Sequence, residues 1–151
     1  MTALRELHPL KRKSVKPSIS TVRGMLPGKQ FRMLDTAMQG LRTAGLRLEW
    51  VWKGNADGWV CVGMWDDKSV CELHPVEDPL IGAILIPPTV YEDIKTSDDF
   101  PVKYKKILGY PVEQTKKAVI FEFELADAKH RALFSDFIEN LETFIRASVE
   151  N

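Results

Sequence analysis

The chain has 151 residues, 44% hydrophobic and 28% charged, and its 21 basic and 21 acidic side chains balance to zero. That is ordinary composition for one domain long enough to bury a core without staples, and the neutral total argues against a dedicated nucleic-acid binder. The charge is unevenly spread: residues 1–50 carry ten Lys/Arg against three Asp/Glu, and residues 51–151 carry eleven against eighteen.

Two cysteines, Cys61 and Cys71, are too few for a disulfide framework and read as buried, reduced thiols, with a cross-strand disulfide as the alternative that geometry decides. No run approaches the roughly 18 apolar residues of a membrane span. The start, MTALRELHPLKRK, lacks the apolar core of a signal peptide. The expected location is the cytosol, with no membrane partner.

Residues 1–18 hold Pro9, Pro17 and a basic cluster at Lys11, Arg12, Lys13 and Lys16, without a sustained apolar period. They read as a flexible basic arm, with residues 19–151 forming a single domain. The cluster lacks interleaved aromatics for base stacking, which favours a solvated tail over a phosphate contact. From Gly28 to Ala44 the apolar residues Phe31, Leu34, Met38 and Leu41 recur at helical spacing, with Pro27 before them and Gly45 as a stop.

Three runs rich in Trp, Val and Cys follow, near 46–53, 58–66 and 69–74, punctuated by GNADG and DDK. A fourth, apolar on both faces, spans about 80–86. This is the pattern of an antiparallel meander whose last strand is central. Pro87 and Pro88 end it. Thr89 then starts a short helix to about Lys95, and Asp98-Asp99-Phe100-Pro101 opens a second with Tyr104, Ile107 and Leu108 on its apolar side. The segment 118–125 alternates Val119, Phe121, Phe123 and Leu125 with Glu122 and Glu124, a half-buried strand. Asp127 caps a last amphipathic helix carrying Phe134, Phe137, Ile138, Leu141, Phe144 and Ile145 on its core stripe. The expected fold is α+β: one mostly antiparallel sheet of about five strands with helices on one face, in the order α-β-β-β-β-α-α-β-α.

Chemical motifs are absent: there is no phosphate-cradling glycine loop, no GxSxG and no HExxH. His8, His74 and His130 do not stand at metal-ligand spacing, so neither a metal nor a cofactor is expected. All four tryptophans lie between Trp50 and Trp65. Trp50, Trp52 and Trp59, with Trp65 as a further candidate, would wall a pocket on the sheet. Glu49 would supply charge, and Tyr104 or Tyr91 would cover it from the helices. Such a pocket suits a small aromatic or cationic ligand. The tryptophan faces depend on the first turn, because a one-residue slip exchanges them: a four-residue loop over 54–57 aligns Trp50, Trp52, Trp59 and Cys61, and a five-residue loop splits them. The competing site is Glu72 with His74, two residues apart on one strand face and able to act as an acid/base pair.

With these residues placed, the layout resembles a group of small bacterial domains of unknown function. Those have a leading helix, a hairpin with Gly-Trp on its second strand, a Cys-x-Leu-x-Pro-like third strand, and a closing strand and helix. The matching pieces are Gly58-Trp59, Cys71-Glu72-Leu73-His74-Pro75 and residues 97–104, within a likeness over about 28–147. It implies this fold and a bacterial, cytosolic origin, and it carries over no activity and no catalytic residue. The reading is a non-catalytic domain binding a small ligand among the tryptophans. The alternatives are an enzyme using Glu72 and His74, or an interaction module acting through the tryptophan hairpin or a sheet edge, with a homodimer as one form of partner.

Overall fold

The computed structural model describes residues 9–150 apart from 12, 15, 19, 20, 55, 56 and 78. His8, Arg12 of the basic cluster and two residues of the first hairpin loop thus lie outside the described residues. Helix α1 (Gly28–Thr43) leads into β1 (Arg47–Trp52), β2 (Trp59–Trp65), β3 (Lys68–His74) and β4 (Ile81–Ile86). Then come α2 (Pro88–Thr96), a 3-10 turn (Val102–Tyr104), α3 (Lys105–Leu108), β5 (Glu113–Gln114), β6 (Val119–Glu124) and α4 (Ala128–Glu150). The described strands form one six-stranded antiparallel sheet in the order β1-β2-β3-β4-β6-β5. The fold is α+β as the residue pattern implies. The addition is β5, two exposed residues that the spacing gives no means of detecting because they bury no side chain.

The helix ends follow from local chemistry. After α1, Gly45 at φ +92° lets its own N–H reach Arg42 O and the Leu46 N–H reach Leu41 O, closing the last turn with a left-handed residue. Pro88 occupies the first turn of α2, where a missing N–H costs nothing, so the helix starts one residue before Thr89. The Lys105 ammonium donates to the Ile94 and Ser97 carbonyls at 2.5 Å each, placing a cation at the C-terminal end of α2. Asp127 Oδ1 accepts from the His130 N–H at 2.8 Å, the cap expected for α4.

Register assigns the two sheet faces. Trp50 opposes Cys61, Cys61 opposes Leu73, Leu73 opposes Gly82 and Gly82 opposes Phe123, so these residues share one face. The helices lie over that face: Phe134 of α4 stacks edge-on to Phe123 at 5.6 Å, and Tyr91 of α2 meets Phe121 at 5.8 Å. Phe134, Phe137, Ile138 and Leu141 of α4 are buried there with Leu34 and Leu41 of α1. β4 is central, as its apolar run suggests, but the described helices cover one of its faces. On the other, Ala83 is buried and Ile81 and Leu85 are half-buried.

The basic arm is not separate from the domain in packing terms. Leu10 and Pro17 are buried, and Leu10 belongs to the core cluster. Its carbonyl lies against Gly58, which sits at φ +68° and has no room for a Cβ. Lys13 and Lys16 are exposed, so the basic side chains face water while the apolar ones anchor the segment.

The close approach of α4 to β4 depends on another glycine. A Cβ on Gly82 would lie 2.8 Å from both the Phe134 ring and Leu125 Cδ1. Gly82→Ala should therefore lower unfolding free energy by about 1–3 kcal/mol in urea titrations, as overpacking in a filled core does. An unchanged midpoint would show that α4 shifts freely over the sheet.

Candidate functional site

The first hairpin closes with Lys53 N–H donating to Gly58 O at 2.9 Å and Gly58 N–H donating to Gly54 O at 2.8 Å. The loop is thus four residues, 54–57, and Trp52 stands opposite Trp59 as Trp50 stands opposite Cys61. Of the two arrangements open in the sequence, this one puts Trp50, Trp52, Trp59 and Cys61 on the helix-bearing face. The Trp52 and Trp59 rings meet edge-on, with centroids 5.7 Å apart at 66°. Trp59 is 8% exposed, whereas Trp50 and Trp52 are half-buried on the outermost strand. The result is an aromatic surface at the β1–β2 edge with one indole behind two others.

Glu49 and Tyr104 are not brought to that surface. Glu49 opposes Val62 on the helix-free face and pairs with Arg47 at 3.0 Å. Alternation along a strand forbids Glu49 and Trp50 from sharing a face, whatever the hairpin register. Tyr104 lies toward the β6 side of the sheet, fully buried against Phe137 at 4.8 Å and Phe100 at 6.0 Å. Its hydroxyl donates to Asp136, which also pairs with Lys103 at 3.1 Å. Burial, followed by that hydrogen bond, pushes the Tyr104 phenol up and keeps it neutral. Tyr91 is likewise committed, donating to Leu108 O at 2.6 Å. Trp65 sits apart from the other three, under the Arg146 guanidinium at 5.1 Å.

Glu72 and His74 do converge. His74 Nε2 and Glu72 Oε1 are 3.1 Å apart on the helix-free face, and Lys53 Nζ holds the other carboxylate oxygen at 3.3 Å. Lys53 opposes Gly58 and Glu72 opposes Val62, so this ion pair crosses β2 above Val60, which is fully buried. Lys53 is the member that inspection of the sequence missed. Only the hairpin register shows that it reaches across a strand.

The pair polarises in the direction of stability. The His74 hydrogen bond, with Lys53 behind it, holds the Glu72 carboxyl below its ordinary range against the opposing effect of burial. The same hydrogen bond raises His74, helped by the negative charges of Glu72, Asp57 and Glu122. Both shifts favour the charged pair, a carboxylate beside an imidazolium, with Lys53 as a second cation on the same carboxylate. Among the described residues, no three His, Cys, Asp or Glu side chains cluster to hold a metal.

Cys61 and Cys71 are free and buried. Burial pushes the Cys61 thiol up to about 12 and raises Cys71 further, so neither is a nucleophile at neutral pH.

No protein-family model matches the chain, and neither a curated protein nor a solved structure matches it. Function therefore has to be argued from the site itself.

The Glu72–His74 pair makes a pH prediction with a definite sign. The lowered carboxyl contributes stability above its ordinary value of 4.5, lost as pH falls through the folded value. The raised imidazole contributes fully below 6.5, and that contribution is lost as pH rises through its folded value. The pair is thus most stabilising between those two values. Melting curves should show wild type losing stability from pH 6 toward pH 9, and Glu72→Gln should flatten that loss while costing about 1–2 kcal/mol at pH 6. Parallel pH profiles for the two proteins would remove the pair from the account of stability.

Proposed function

We propose that this chain is a small non-catalytic binding domain that engages a flat aromatic small molecule through the tryptophan surface of the β1–β2 edge. The observation that carries this reading is the shared face of Trp50, Trp52 and Trp59, with two of the three indoles still partly open. Ring faces and edges at that spacing offer stacking and edge contacts to a planar ligand at little entropic cost, since the indoles are already fixed by packing. Of the two ligand classes the residues suggest, the aromatic one is better supported. Glu49, the carboxylate that would select a cation, lies on the other face.

A cytosolic working place accords with two unlinked, buried thiols and with the absence of any helix, among the described residues, long and apolar enough to cross a membrane. The bacterial origin implied by the family likeness belongs to the same proposal. The enzymatic alternative has one observation in its favour, the 3.1 Å contact of Glu72 with His74. Against it stands the second contact of the same carboxylate, Lys53 at 3.3 Å across β2, which supports a structural role for Glu72 in tying the end of the first strand to β3.

The test is a screen of planar aromatic compounds read by intrinsic tryptophan fluorescence and by thermal shift. A binder at 100 times its dissociation constant adds about 2.7 kcal/mol of stability. Trp52→Ala should weaken such binding by at least about tenfold, roughly 1.4 kcal/mol, while Trp65→Phe leaves it intact. A compound that binds equally well to Trp52→Ala, or a panel without a binder, overturns the proposal.

A further inference from the structure

The two edges of the sheet are protected unequally. β5, at one edge, is two residues long and follows Pro111, so it offers little backbone to another strand. β1, at the other, runs six residues with neither proline nor bulge; its pairing with β2 is regular, whereas the register shifts between β2 and β3 at Gly63/Met64. Lys53 directs its N–H inward to Gly58, so by alternation Arg47, Glu49 and Val51 also bond toward β2. Leu48, Trp50 and Trp52 therefore direct their backbone N–H and C=O groups outward, where no described strand meets them.

We infer that a second copy of this chain docks on that edge, β1 against β1 antiparallel, about a two-fold axis through Val51. Charge selects this register. With Trp50 opposite its own copy, Arg47 would face Lys53. With Glu49 opposite its own copy, two carboxylates would meet. A register centred on Leu48 pairs Arg47 with Glu49 but sets Trp52 opposite Ala44, in the turn after α1, and leaves that indole without a strand partner. Centring on Val51 places Glu49 opposite Lys53 of the second copy twice, and Trp50 opposite Trp52 of the second copy twice. Opposite charges and aromatic pairs directly across strands are both stabilising. The hydrogen-bond pattern agrees, because the outward-bonding Trp50 and Trp52 become the bonded pairs.

The intramolecular ion pairs lie in line with the new ones. Arg47 holds Glu49 at 3.0 Å and Lys53 holds Glu72 at 3.3 Å, so the junction extends an alternating chain of charges across the helix-free face. On the helix-bearing face, the Trp50 and Trp52 indoles of both copies form one row. This self-complementarity is what an isologous two-fold interface demands. It requires no ligand, so its failure and that of the binding proposal are distinguishable.

Sedimentation and light scattering of the purified chain should show a dimer. Val51 becomes a non-hydrogen-bonded pair across the axis, where Cα atoms stand about 4.5 Å apart and a disulfide is geometrically allowed. Val51→Cys should cross-link to a covalent dimer on mild oxidation, with Cys61 and Cys71 silent because they are buried. Glu49→Cys should not. Glu49→Lys and Lys53→Glu should each weaken self-association about tenfold, and mixing the two variants should restore a heterodimer. Should Lys53→Glu fail to fold beside Glu72, Glu49→Lys and the cross-linking pair carry the test. A monomer at 100-fold the working concentration, faster cross-linking by Glu49→Cys than by Val51→Cys, or dimers indifferent to charge reversal would overturn the inference.

Discussion

Phe137 is the side chain on which the packing of this molecule converges. It is fully buried on α4 and meets Tyr104 at 4.8 Å, Phe100 at 5.5 Å, Phe123 at 6.0 Å and Phe121 at 6.5 Å. One ring thereby ties the final helix to the last long strand and to the short helical segments that precede it. Edge-on and tilted contacts of this kind add to the burial of large apolar area, and they are directional enough to fix how α4 lies on the sheet. Gly82 completes the constraint by letting the Phe134 ring come down onto β4.

With the helices committed to that side, the two sheet faces acquire different roles. The covered face carries the core and, at its outer edge, the indoles of Trp50, Trp52 and Trp59. The uncovered face carries Arg47, Glu49, Lys53, Glu72, His74, Glu122 and Glu124, with Val60, Val62 and Ala83 buried between them. The long polar side chains there close over small apolar ones, and the Lys53–Glu72–His74 array ties the end of β1 to β3 across β2 without any helix. The tryptophan surface and the ionic clamp thus lie on opposite faces of the same edge of the sheet, β1 to β3.

Much of the architecture was legible because it rests on periodicity. The stripe Leu34, Met38, Leu41 made α1, the alternation Val119, Phe121, Phe123 made β6, and Asp127 announced α4. Where reading faltered, the deciding contact was remote or the segment buried nothing. β5 has no apolar signature. Leu10 looks like part of a basic tail, but its side chain joins the core and its carbonyl lies against Gly58 of the first hairpin, contacts with residues far along the chain. The tryptophans stand out as a group, but nearness in sequence for Glu49 and chemical suitability for Tyr104 do not bring either to their face, because facing is set by strand alternation and by packing.

The sequence by itself determined the α+β class, the helix-to-strand order, the central place of β4, the facing of alternate residues within each strand, and the nearness of Glu72 to His74. All are local, following from a period of 3.6 or 2 and from capping chemistry. Only the tertiary structure decided the four-residue hairpin loop, and hence that three indoles share a face. It alone showed that Lys53 crosses β2 to reach Glu72, and that Tyr104 is spent on Phe137 and Asp136. Those outcomes depend on register and on packing between segments distant in the chain. Near-degenerate local choices there are separated by contacts that no single stretch of sequence contains.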